Sequence, residues 1–194
     1  MREHISTAEQ RTRQAFKSLN RFMILMWRLG LGVWLKSKDT WGQIMVIGHR
    51  GRKTGLVRRT PVNYAVVDGD LYCAAAYGAS CDWYRNILAH PEVEVWHPDG
   101  RWRGIGEDVS DSDDRIQLLR QILVASGFAA RLAGLNPHTI SDEKLALVSE
   151  RYRLLRIRRT DAMTGPGGPG DLAWIWPVVS LVLLGMLFSR RRKR

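Results

Sequence analysis

Thirteen residues constrain this 194-residue chain more than any others: Gly48 to Thr60, GHRGRKTGLVRRT. Five of the thirteen are Arg or Lys, and glycines stand at 48, 51 and 55. The apolar run Ile44-Met45-Val46-Ile47 enters the stretch, and Pro61-Val62-Asn63-Tyr64-Ala65-Val66-Val67 leaves it. This pattern predicts two antiparallel strands joined by a glycine-rich cationic turn. Glycine lets backbone amides come close to an anion, and Arg52, Lys53, Arg58 and Arg59 supply charge for phosphate or carboxylate oxygens. A plain solvated turn and a nucleic-acid patch are the competing readings, the second the weaker. The spacing is not that of a Walker A loop, since Lys53 precedes the last glycine.

The rest of the chain continues in hairpins. Trp41 to His49 and Val57 to Val67 are the first strand pair. Asp68-Gly69-Asp70 is a tight-turn signal, and Leu71 to Ala76 returns as a third strand. A loop of small residues follows, Tyr77 to Asp82, in which Asp82 or Ser80 is suited to cap a short helix over Trp83 to Ala89. Glu92 to Trp96 and Arg101 to Val109 form another hairpin. A helix entered through Asp111–Asp114 runs to about Gly127, and a looser helical stretch covers Phe128 to Leu135. Ser141 caps a further short helix, and Tyr152 to Arg158 is a last, basic strand. No repeated βαβ unit and no GxGxxG helix appears, which disfavours a doubly wound nucleotide fold. The expected class is α+β, an antiparallel split β-barrel with packed helices plus a C-terminal hydrophobic helix.

The ends differ from the middle. Residues 1–39 are an N-terminal amphipathic helical segment: Ser6 to Glu9 is a capping box, and Phe16, Leu19, Met23 and Met26 recur at helical spacing. This helix either packs on the barrel or lies at a membrane surface with Trp27 and Trp34 at headgroup level. Residues 40–164 are the barrel domain and 165–171 a Gly/Pro linker. In the segment 172–194, Leu172 to Phe188 carries no charge and the last five residues are all basic. Seventeen residues span about 26 Å as a helix, slightly short of a ~30 Å hydrocarbon core. A membrane helix is the expectation here, with lipids as partners and the barrel on the cytoplasmic face; a docked or oligomerising helix is the alternative. The net charge of +11, of which the basic tail holds +5, favours anionic partners. Cys73 and Cys81 match no metal or redox spacing, and strand alternation splits His90, Glu92, Glu94 and His97 across two faces, so no metal is expected. His49, beside Arg50, is a candidate only for the margin of the anion site.

GRKTG at Gly51–Gly55, followed by Arg58 and Pro61-Val62, resembles the deazaflavin-dependent nitroreductase and quinone reductase family, as does AAAYGAS followed by DWYRNILAHPEVEV. The resemblance covers about residues 40 to 158. It implies a split β-barrel oxidoreductase that uses coenzyme F420, an 8-hydroxy-5-deazaflavin. It implies further that Arg52, Lys53, Thr54, Arg58 and Arg59 meet the cofactor's phosphate and oligoglutamate tail, with Pro61 and Val62 following them. Ala75, Ala76, Tyr77 and Gly78 would contact the ring, and Trp83, Tyr84 and Asn86 its edge or ribityl chain. Family members usually carry Ser where Ala76 stands, and the substrate-side tyrosines of some have no counterpart between Arg115 and Leu135.

The activity implied is hydride transfer from the reduced deazaflavin to an electron-poor acceptor, a quinone or a nitro compound, with Tyr77 the candidate proton donor. A lipophilic quinone is the first choice of acceptor. A homodimer is compatible with this fold, and nucleic acid is not an expected partner. The alternatives are the same barrel carrying FMN, or a membrane-anchored module that binds anionic ligands or lipid without catalysis.

Overall fold

Alternation along each strand decides which side chains fill the barrel. The computed structural model describes residues 7–32, 42–127, 136–165 and 168–191. Among them are β1 (Ile44–Arg50), β2 (Val57–Val67), β3 (Asp70–Ala75), β4 (Glu92–His97), β5 (Gly100–Asp108) and β6 (Arg153–Ala162). All neighbours pair antiparallel, and the sheet closes in the order β1-β2-β3-β6-β5-β4. Met45 and Ile47 of β1, Leu71 and Cys73 of β3, Val93 and Val95 of β4, and Leu155 and Ile157 of β6 meet inside. Each is the alternate residue of its strand, as a two-residue period requires. At Asp68 and Gly69 φ is 51° and 87°, so both centre residues of the β2–β3 turn are left-handed, as tight hairpins demand.

Helix α2 (Asp82–Ala89) stoppers one end. Its Tyr84 and Ile87 join the barrel core. Space for them comes from β5, where a Cβ on Gly106 would lie 2.5 Å from Ile87 Cγ2. The Tyr84 hydroxyl donates to Asp108 Oδ2 at 2.6 Å. Neither Ser80 nor Asp82 caps α2: the residue before the helix is Cys81, without a side-chain cap. Ser80 Oγ donates instead to the Tyr77 carbonyl at 2.6 Å.

The outer faces are covered by helices. Leu118, Leu119, Ile122 and Leu123 of α3 (Arg115–Ala125) pack with Ala65 and Leu154, joined by Leu145 of α4 (Asp142–Val148). Ser141 does cap α4, its hydroxyl accepting from Lys144 N at 3.3 Å. Helix α3 starts later than its acidic lead-in suggests, because Val109–Asp114 is taken up by turns held by bonds such as Ser112 N to the Val109 carbonyl, 3.3 Å. The looser helical stretch expected over Phe128–Leu135 lies outside the described residues.

Helix α1 (Thr7–Arg28) covers β1 and β4. Trp27 is fully buried with Val46 and Trp96, so it packs on the barrel and is not a headgroup anchor. A Cβ on Gly32 or Gly168 would strike its ring, at 2.2 and 2.7 Å. Part of the stretch expected as a linker therefore lies on this tryptophan. Trp34 and Ser6 lie outside the described residues.

The terminal helix α5 (Ile175–Arg191) overturns the membrane expectation: no helix among the described residues is long and apolar enough to cross a membrane. The physical reason is where it begins. Leu172 to Trp174, the first residues of the charge-free run, form a turn with Asp171. That turn is tied to the end of α1: Arg28 Nη2 meets Asp171 Oδ2 at 2.8 Å, and Leu172 N donates to the Arg28 carbonyl at 2.8 Å. Trp176 Nε1 donates to the Leu29 carbonyl at 2.9 Å. The reading of a barrel anchored at the cytoplasmic face of a membrane falls with the span.

Candidate functional site

The basic turn sits at the end of the barrel that α2 closes. Its backbone is largely spent on itself: Gly55 N donates to the Gly51 carbonyl at 2.7 Å and Gly51 N to the Leu56 carbonyl at 2.9 Å. Gly55 takes φ of 67°, a conformation that favours glycine. The amide of Arg52 is used as well, donating to Asn86 Oδ1 at 3.1 Å. An anion at this turn would therefore be met mainly by side chains.

The five cations part company. Arg52 turns inward onto α2, giving Nη1 to Asn86 Oδ1 at 2.8 Å and Nη2 to Asp82 Oδ1 at 2.9 Å. That hydrogen bond holds the Asp82 carboxyl below its usual range. Arg59 goes to the outer face, its guanidinium 4.9 Å from the centre of the Trp96 ring. Strand alternation sends Arg58 to the other face, where it pairs in register with His49. Arg50, Lys53 and Arg58 are exposed, and none makes an ion pair among the described residues. Thr54 is exposed beside them, its hydroxyl close to Gly51.

Midway along β2 a cleft of about 310 Å³ opens, lined by Pro61, Val62, Ala75, Ala76, Tyr77 and Trp83, among others. Six of the sequence-predicted residues thus share one hollow, linked to the turn by the first residues of β2, Val57 to Thr60. A volume near 300 Å³ is at the lower end for small-molecule clefts. Its walls are mainly apolar: Ile122 and Leu123 of α3 and Trp83 of α2 join the end of β3 in lining it. Tyr77 is 77% exposed at the mouth.

Gly78 is buried behind the cleft, and a Cβ there would meet the Arg151 carbonyl at 2.2 Å; it shapes the loop. Tyr84 is turned into the barrel and does not line the cleft. Nor does Asn86, which is buried with its carbonyl on Arg52 and its Nδ2 donating to His49 Nδ1 at 3.3 Å.

The sequence reading missed Tyr152, Cys81 and the α3 residues of the cleft. Tyr152 lies just ahead of β6, and only the closure of β6 against β3 brings it here; no local pattern announces that. His49, expected at the margin of the anion site, lies behind the turn instead. The ring is buried, with Nε2 3.1 Å from Thr60 Oγ1. Burial, and then the charge of Arg58, push its pKa down to about 4, so it is neutral at neutral pH. Burial pushes the Cys73 thiol up to about 12, which removes it as a nucleophile.

A family model described as F420H(2)-dependent quinone reductase matches residues 34–133. No curated protein matches the chain. Among solved structures, a conserved hypothetical protein from Mycobacterium tuberculosis is 16% identical with a TM-score of 0.49, covering 64% of this chain and 78% of that one. A structure described as an F420-H2 dependent reductase (FDR-A) is 16% identical with a TM-score of 0.41, covering 60% and 94%. A 5-nitroimidazole antibiotic resistance protein from Bacteroides thetaiotaomicron is 13% identical with a TM-score of 0.45, covering 62% and 74%.

Proposed function

This chain belongs to the F420H(2)-dependent quinone reductase family, and from that premise we propose that it reduces a quinone with reduced coenzyme F420 held between the basic turn and the adjoining cleft. The observation that carries the placement is the meeting of two features. Three cations without an ion pair among the described residues, Arg50, Lys53 and Arg58, stand at a turn, and the strand leaving that turn walls an apolar hollow. A ligand with an acidic tail and a flat ring needs both, and in that order along its length.

When bound, the reduced cofactor supplies the hydride. The other tasks fall to the chain. Lys53 and Arg58 bind the phosphate and carboxylates of the tail, as exposed side chains free to reorient can. Ala75 and Ala76 leave the backbone bare for a ring to lie on, between Trp83 and the β2 residues Pro61 and Val62. Ile122 and Leu123 keep water from one side. Reduction of a quinone by a hydride also takes up a proton. Tyr77, at the mouth and open to solvent, is placed to give it and to recover it from water. A nitro compound is the other acceptor class that this hollow suits.

The test is calorimetric titration of the full-length protein with reduced coenzyme F420, followed by oxidation with menadione. We expect affinity of about micromolar, menadione-dependent oxidation of the cofactor, and weaker binding by Lys53→Ala. Equal affinity for inorganic polyphosphate, or a flavin spectrum in the purified protein, overturns the reading.

A further inference from the structure

The polar groups behind the turn form one chain, and their hydrogen bonds fix its direction. Asn86 Oδ1 accepts from both the amide and Nη1 of Arg52, at 3.1 and 2.8 Å. Two donors on one atom identify it as the oxygen. Its Nδ2 must then face the His49 ring, 3.3 Å away, and Nδ1 of that ring must accept. The ring proton therefore stands on Nε2 and is given to Thr60 Oγ1 at 3.1 Å. A neutral imidazole is required, and burial makes it so.

We propose that His49 is a positioning residue for cofactor binding: it holds the Asn86 carboxamide in the place from which it clamps Arg52, and so sets the turn that presents Lys53 and Arg58. This rests on the functional reading above. Asn86 is buried. With no acceptor at position 49 its Nδ2 would be left with a buried, unmade hydrogen bond, a cost relieved only if the carboxamide shifts from its place. A shifted carboxamide would no longer line up with the amide and Nη1 of Arg52 and would loosen both bonds. The charge of Arg52 alone does not do this work. Its planar fork reaches Asn86 and Asp82 at once, through two nitrogens. The roles also differ from those expected of the motif: Asn86 and Arg52 act behind the ligand, holding the residues that touch it.

Three variants test this. His49→Leu removes the acceptor. His49→Asn restores one, since Oδ1 of an Asn can take the place of Nδ1. Arg52→Lys keeps the charge at a surface position and loses the fork. For His49→Leu and Arg52→Lys we expect the Kd for reduced coenzyme F420 to rise about tenfold, the loss of one buried hydrogen bond. The KM for menadione and kcat at saturating cofactor should stay within about twofold, since the acceptor side is untouched. His49→Asn should bind as wild type does, within about twofold.

A second measurement needs no ligand. Hydrogen exchange at the Arg52 amide should be slow in wild type and His49→Asn, and fast in His49→Leu. Unchanged exchange in His49→Leu overturns the clamp. Faster exchange with an unchanged Kd overturns its bearing on the cofactor. Failure of wild type to bind reduced F420 sinks the functional reading and with it that bearing, while the exchange result still decides whether His49 holds the turn.

Discussion

Two buried histidines stand at opposite ends of this barrel, and their surroundings are built on opposite terms. His97, at the β4–β5 turn, meets Asp99 through Nδ1, and Asp99 Oδ2 takes Arg159 Nη1 at 2.6 Å. Trp102 Nε1 donates to the same carboxylate at 2.9 Å, and the Arg159 guanidinium lies 4.9 Å from the Trp102 ring centre. Next to it Arg101 and Glu94 pair at 2.7 Å. Charge at that end is answered within the molecule. His49, at the β1–β2 end, meets a carboxamide and a hydroxyl, and Arg50, Lys53 and Arg58 near it make no ion pair among the described residues, though the charge of Lys53 acts on Asp82. Grouped like charges repel, so the arrangement costs stability unless something anionic comes to it. One end answers its charges internally; at the other three cations are left without an ion pair among the described residues.

The sharpest way to break this contrast is to reverse charge at each end. Lys53→Glu with Arg58→Glu should raise the Kd for reduced coenzyme F420 by about a thousandfold, since two charge-assisted contacts become repulsions. The melting temperature should hold or rise, because repulsion is relieved. Arg159→Glu should do the reverse: a lower melting temperature, with the Kd within about twofold of wild type. If both reversals weaken binding alike, the ligand feels only the overall field of a basic protein, and the two ends are not distinct.

A smaller effect separates the ends by their backbones. Gly78, behind the cleft, has φ of 62°, and an added Cβ would meet the Arg151 carbonyl at 2.2 Å. Gly69, in the β2–β3 turn, has φ of 87° with nothing within 4 Å of such an atom. Gly78→Ala should lose about 2–4 kcal/mol by urea denaturation, from steric clash together with left-handed strain. Gly69→Ala should lose only about 1 kcal/mol, the strain alone. Equal losses would show that the loop behind the cleft yields easily.

The contrast also explains what could be read from the sequence. The hairpins were legible because alternation and turn residues are local: Ile44 to Ile47, the cationic turn and Asp68-Gly69 declare themselves within a few positions. Cleft residues from one motif were legible for the same reason, as Ala75, Ala76, Tyr77 and Trp83 lie close together in the chain. The division of labour among the five cations was not. Arg58 and Arg59 look alike until the strand's period sends them to opposite faces. Arg52 looks like a phosphate ligand until Asp82 and Asn86 are brought against it by the placing of α2. His49 showed only its place beside Arg50 and not its role, because its partners lie eleven and thirty-seven positions away. The apolar run after Leu172 misled for a related reason. Its length was already slightly short of a span, and the turn tied to Arg28 removes its first residues from the helix.

The smallest predicted effect concerns pH, and it isolates the His49 end. Its pKa is lowered from 6.5 to about 4 by burial and by Arg58, so the folded protein favours the neutral ring. Stability from that preference is whole above about pH 6.5, where the unfolded chain's imidazole is neutral too, and is lost as pH falls from 6.5 through 4. Asp99 at the other end is held below its own ordinary value of 3.8, by the hydrogen bonds and charges of His97, Trp102 and Arg159, against burial; its contribution is lost only at still lower pH. Melting curves of wild type and His49→Asn between pH 7 and pH 4.5 should therefore diverge, the wild type losing about 3 °C more than the variant, which has no titrating group at position 49. The divergence should begin near pH 6.5. Parallel curves would mean that the ring takes up a proton without breaking its bond to Asn86, and the neutral, carboxamide-bound histidine that sets this end apart would then not be the state that folding selects.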